Sequence, residues 1–229
     1  MHNARINIAL TALTADAAIL IAASVVSRGR VALVLLSAGL FSVLAILAIG
    51  INAHWMTAPD TWVWNWFNAH RSPRWQVHAD GIFGYIGRPF HVAAAGVISG
   101  TLLAVLGRSA MRAVLVIATV GAGAVAEQML KAVVERTPAN LAQLHDGSLL
   151  SYAHSFPSGH VTGSATLLGT IAVCLGARRS RAVKATLAVL VAAGVLFVAF
   201  LALYSRAHIF TDVIGGMVLA KLNPAKPEF

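Results

Sequence analysis

Ser155-Phe156-Pro157-Ser158-Gly159-His160 runs without a break into Val161-Thr162-Gly163-Ser164-Ala165-Thr166-Leu167-Leu168-Gly169-Thr170-Ile171-Ala172-Val173-Cys174-Leu175-Gly176-Ala177, and Arg178-Arg179 stop it. Proline and glycine force an irregular entry, and the apolar run that follows is about as long as a membrane-spanning helix. A polar turn carrying a histidine therefore sits where such a helix meets water. The same design recurs at His208-Ile209-Phe210-Thr211-Asp212, which opens a second apolar run.

Composition generalises the reading. The chain has 229 residues, 58% hydrophobic and 11% charged. Soluble domains carry roughly a quarter charged residues, so a membrane protein is expected. The net charge of +9 does not indicate nucleic acid, because the basic residues fall in short clusters between apolar runs. The single cysteine, Cys174, excludes an internal disulfide and a multi-cysteine metal site.

Seven apolar runs approach the roughly 20 residues a span requires: about 8–27, 31–53, 91–107, 112–134, 160–177, 183–203 and 208–220. The last reaches only about 20 Å against a core of roughly 30 Å. Asp16 interrupts the first run, and Arg28 and Arg30 follow it, so an uncleaved helix is expected rather than a signal peptide. Seven spans put Arg28/Arg30, Arg108/Arg112 and Arg178/Arg179/Arg181/Lys184 on one side, which the positive-inside rule makes cytoplasmic. Both histidine motifs then face the outside. All five tryptophans lie between residues 54 and 90, and Thr61 to His70 is expected to form a short interfacial helix. Arg71, Arg74 and Arg88, outside against the charge rule, either attract an anionic headgroup or simply face water.

The candidate chemistry follows from residue type. His208 and Asp212 are i and i+4 at a helix start, hence on one face. The carboxylate can keep one ring nitrogen protonated and leave the other free to attack. Ionisable groups at a membrane helix are costly and usually functional. Gly159 at a helix N-terminus offers backbone N–H groups to an anion, Ser158 adds a hydroxyl, and His160 can protonate a leaving oxygen. Lys131 and Arg136 can neutralise phosphate oxygens, with Glu127 one turn before Lys131 to hold it. Snorkelling toward water is the plainer reading of Lys131.

In this order the three pieces resemble the type 2 phosphatidic acid phosphatase superfamily, which also includes haloperoxidases, with its pattern K-x6-R-P, then P-S-G-H, then S-R-x5-H-x3-D. The resemblance implies an all-α polytopic membrane helix bundle, with the six-helix lipid phosphatase core over 31–220, an extra N-terminal helix over 1–30 and a tail, 221–229, that reads as truncated or foreign. It implies His208 as the nucleophile of a phosphohistidine, Asp212 as its partner, His160 as general acid, phosphate binding by Lys131, Ser158 and Gly159, and catalysis without metal or other cofactor. Two departures stand out. Pro138 and Ala139 occupy the places of the first-motif arginine and proline, and Leu201 and Ala202 those of the third-motif serine and arginine. Arg136 and Arg206 are the candidates to compensate.

The expected function is hydrolysis of an amphiphilic lipid phosphate, either an isoprenyl phosphate or diphosphate, phosphatidic acid or phosphatidylglycerol phosphate. The expected place is the outer face of the plasma membrane, with membrane lipids as the partners and no nucleic acid. A lipid phosphotransferase, or a non-catalytic lipid-phosphate binder or carrier on a degenerate copy of the scaffold, are the alternatives. Sequence leaves the oligomeric state open.

Overall fold

Two basic, glycine-bearing or left-handed corners set the hairpins of the bundle. Gly29, at φ +63°, turns the first helix into the second, and Arg108, at φ 47°, turns the fifth into the sixth. The computed structural model describes residues 2–86, 88–137 and 152–222. Its described residues form helices and no strand: α1 (His2–Val26), α2 (Gly29–Gly50), α3 (His54–His70), α4 (Pro73–Ile86), α5 (Pro89–Gly107), α6 (Ala110–Val133), α7 (Gly159–Gly176), α8 (Arg181–Tyr204) and α9 (Phe210–Lys221).

Six stretches are long and apolar enough to cross a bilayer: Asn7–Val26, Gly29–Gly50, Phe90–Gly107, Ala110–Val133, Gly159–Gly176 and Arg181–Tyr204. Large apolar side chains such as Val34, Phe41, Leu106, Val114 and Leu190 are exposed along them, as a lipid-facing surface requires. The chain is a multi-pass membrane protein. The seventh run expected, 208–220, is α9, whose 12 residues are too short for a span on the described residues. Residues 223–229 of the expected tail lie outside those described.

Helix α7 is the hub, packing against α5, α6, α8 and α9. Its N-terminus is fixed by Ser158, whose Oγ accepts the Val161 N–H at 3.5 Å, a normal N-cap. Helix α9 locks onto that entry. The Ser158 N–H donates to the Asp212 carbonyl at 2.9 Å, and the Thr162 hydroxyl lies 3.4 Å from the Gly216 carbonyl. Helix α1 lies along α2, where the Asp16 carboxylate accepts the Ser42 hydroxyl at 2.7 Å. That contact gives the lone acid of the first span its partner.

The helix expected over Thr61 to His70 is the C-terminal part of the longer α3, and α4 follows it in the 54–90 connection. Trp55, Trp62, Trp66 and Trp75 are exposed, whereas Trp64 is buried beside Ile209 and Tyr152. Arg71, between α3 and α4, donates to the carbonyls of Tyr204 at 2.7 Å and Leu203 at 3.1 Å. It therefore closes the C-terminus of α8, where a cation is favoured. At the far end of α6 from Lys131, Arg112, Arg178 and Arg179 line one cavity of about 320 Å³, so two of the three basic clusters do share an end of the bundle.

Candidate active site

His208 precedes α9 and is buried together with Asp212, which is wholly inaccessible. Its Nδ1 lies 3.3 Å from Asp212 Oδ2. An ionised carboxylate only accepts, so Nδ1 carries the proton and Nε2 is the free nitrogen. The Ile209 N–H donates to the same oxygen at 3.3 Å, which fixes Asp212 at the first turn of α9.

Behind Asp212 stands Arg136, 2% exposed. Its Nη2 donates to Asp212 Oδ1 and to Thr211 Oγ1, both at 2.6 Å. Its Nη1 donates to Asp60 Oδ2 at 3.4 Å. Asp60, on α3, also accepts the Thr211 N–H and the Thr211 hydroxyl, each at 2.8 Å. Burial pushes the Asp60 carboxyl up to about 6, although Arg136 and the two Thr211 bonds oppose the rise; Asp212 adds to it.

Facing this assembly is His160, in the first turn of α7. The His160 and His208 rings are 6.1 Å apart, centroid to centroid, at 64°. Phe83 of α4 stacks on His160 at 4.0 Å and meets His208 edge-on at 6.3 Å. The two imidazoles thus lie beside each other, with one aromatic ring against both.

Lys131 Nζ pairs with Glu127 at 2.6 Å, the i,i+4 pair expected from the sequence. Gly159 faces the same Glu127, and a Cβ there would collide with its carboxylate. Ser158 is fully buried, with its Oγ serving the helix cap. Arg206 has a left-handed backbone, φ 56°, and its carbonyl accepts the Tyr152 hydroxyl. Ala202, where the resemblance calls for arginine, is 0% exposed in an apolar cluster with Val161, Val198 and Val213. Its carbonyl accepts the Ala207 and His208 N–H groups at 3.1 and 3.2 Å. Pro138 and Ala139 lie outside the described residues. Among the described residues no three His, Cys, Asp or Glu side chains converge as metal ligands.

The PAP2 superfamily profile matches residues 112–222, a stretch holding His160, His208, Asp212, Lys131 and Arg136. Over that stretch the chain is similar to the PAP2 superfamily. The crystal structure of a transmembrane PAP2-type phosphatidylglycerolphosphate phosphatase from Bacillus subtilis superposes with a TM-score of 0.67, at 23% identity over 81% of this chain and 90% of that one. That likeness carries the fold. No curated protein matches the chain.

Two residues of this site, Asp60 and Phe83, were not singled out from sequence, and one that was, Arg136, is placed differently from its expected use. Arg136, expected as a phosphate ligand, directs three hydrogen bonds at Asp60, Thr211 and Asp212. Asp60 and Phe83 lie outside the matched stretch. Asp60 had one legible signal, since it is among only eight acidic residues in the chain and sits in a tryptophan-rich apolar segment. Phe83 had none, because one phenylalanine in an apolar helix is ordinary.

Proposed function

We propose that this protein is a PAP2 enzyme that hydrolyses a lipid phosphate through a phosphohistidine on His208. The observation that supports the reading is the convergence of His160 and His208, 6.1 Å apart, with the Nδ1 of His208 held against Asp212. His208 Nε2 attacks phosphorus, and the bond from phosphorus to the lipid oxygen breaks. His160 gives that oxygen its proton. Water then attacks phosphorus, the P–N bond breaks, and His160 takes the proton of the water. Asp212 keeps the Nδ1 proton and stabilises the positive ring of the intermediate. No step in this reading needs a metal ion.

Lys131, the N–H groups at Gly159, the Ser158 hydroxyl and Arg206 are the groups proposed to bind phosphate, with Arg136 acting mainly through Asp212. The lipid tail enters from the bilayer, and the headgroup meets the histidines at the outer face of the plasma membrane. Candidate substrates are isoprenyl phosphates and diphosphates, phosphatidic acid and phosphatidylglycerol phosphate; the last is the substrate class named for the structural neighbour.

The test is phosphate release from this panel in detergent with EDTA present. Wild type is expected to turn over at least one lipid, and His208→Ala to lose on the order of 10³-fold or more in kcat. A brief acid-avoiding quench should recover phosphate on His208. Undiminished release by His208→Ala would sink the mechanism. Transfer of label to an acceptor lipid in place of water would make the protein a phosphotransferase. Tight vanadate binding with no turnover of any lipid would make it a binder.

A further inference from the structure

The carboxylates of Asp60 and Asp212 share one guanidinium, that of Arg136. All three are buried, and their formal charges sum to minus one. An uncompensated charge away from water is expensive, so this imbalance among the described residues calls for a reason. His208 offers one. Its ring is the next charge-bearing group, in line behind Asp212, and it gains a positive charge whenever Nε2 forms a bond to phosphorus while Nδ1 keeps its proton.

We infer that Asp60 is a positioning residue of the proposed reaction, which orients Arg136 and Thr211 and through them Asp212, and supplies the extra negative charge that the phosphorylated His208 ring neutralises. The inference rests on the phosphohistidine reading above. Asp60 comes from α3, outside the stretch matched by the family profile. Its geometry is specific. Oδ1 takes the Thr211 N–H, and Oδ2 takes the Thr211 hydroxyl and the Arg136 Nη1. The Thr211 hydroxyl, having donated to Asp60, accepts from Arg136 Nη2, and that same nitrogen reaches Asp212. Each member thus restricts the next, and groups pre-arranged around a charge that develops later stabilise it without reorganising.

Among the described residues, Arg136 and Asp212 face Asp60, and Asp212 and His160 face His208. Removing the Asp60 charge therefore removes half of the negative charge behind the nucleophile. It makes the His208 ring harder to protonate and the phosphorylated ring less stable.

The test is Asp60→Asn, which keeps the size and one acceptor. Its kcat is expected to fall about 10–100-fold with KM within about threefold of wild type, and the acid limb of kcat/KM to move to lower pH. Asp60→Glu should restore the acid limb. The rate at which diethyl pyrocarbonate modifies His208, read by peptide mass spectrometry, should show the same displacement without any need for turnover. Should Asp60→Asn not fold, Thr211→Val cuts the same chain and should lower kcat, while Thr211→Ser should keep it. An active wild type with a dead His208→Ala but an unaltered Asp60→Asn, in kcat and in both pH profiles, overturns this inference and leaves the phosphatase reading intact. A wild type inactive on every lipid removes that reading, and the modification profile then decides the role of Asp60 alone.

Discussion

Gly159 illustrates how much one hydrogen atom matters at the residue scale. A methyl group there would strike the Glu127 carboxylate, which is itself tied to Lys131. The glycine does more than end a turn: it lets an acidic side chain lie against the N-terminus of α7, a position that favours negative charge. Gly159→Ala should therefore lower stability by about 1–3 kcal/mol. If the Glu127 contact is the cause, Glu127→Ala in the same chain should recover part of the loss, a coupling that thermal unfolding in detergent can measure. Strictly additive losses would show that Glu127 is not what excludes the side chain.

At the scale of elements, the site depends on how closely α9 approaches α7. The two helices are joined at Ser158–Asp212 and Thr162–Gly216. A Cβ on Gly216 would stand 2.7 Å from the Ser158 carbonyl oxygen and 3.2 Å from Thr162 Oγ1. Backbone cannot yield as a flexible side chain can, so Gly216→Ala must push α9 outward and carry His208 away from His160. Sub-ångström misplacement of reacting groups is costly. The proposed lipid phosphatase activity is expected to fall about tenfold or more, with a lower melting temperature. Gly121→Ala in α6 is the matched control. Nothing lies within 4 Å of its added methyl group, and the change should be neutral or stabilising by about 0.5–1 kcal/mol. Equal effects of the two substitutions on activity would remove the argument from close approach. Ala202 belongs to the same scale. It is buried in the contact of α8 with its neighbours, so this position helps pack the bundle and places no guanidinium in the site.

For the molecule as a whole, the buried cluster links α3, the segment after α6, and α9, and so should tie global stability to pH. Asp60 titrates near 6 in the folded protein against 3.8 as the ordinary value. A raised folded pKa means that the folded state holds the proton more tightly than the unfolded one. The stability Asp60 adds is then full below about pH 4 and is lost as pH rises through about 6. The difference in melting temperature between wild type and Asp60→Asn should narrow or reverse over that window and be flat above it. A difference independent of pH from 4 to 7 would mean that Asp60 does not titrate there. On this same scale the division between what was readable and what was not becomes plain. Apolar length and charge spacing are local along the chain, and they sufficed for five of the interior spans nearly to the residue, for the helical class, and for the two histidines with Asp212 at i+4. The pairing of His160 with His208, separated by 47 intervening residues in sequence, was suggested by motif order; its distance was set only when α7 and α9 packed. Phe83 and the use of Arg136 were beyond reach of any pattern, and Asp60 offered only its rarity as an acid in an apolar segment. Their roles arise from contacts spanning 75 to 151 residues, and a buried polar group acquires its meaning from the partner that satisfies it, which the chain selects only by folding.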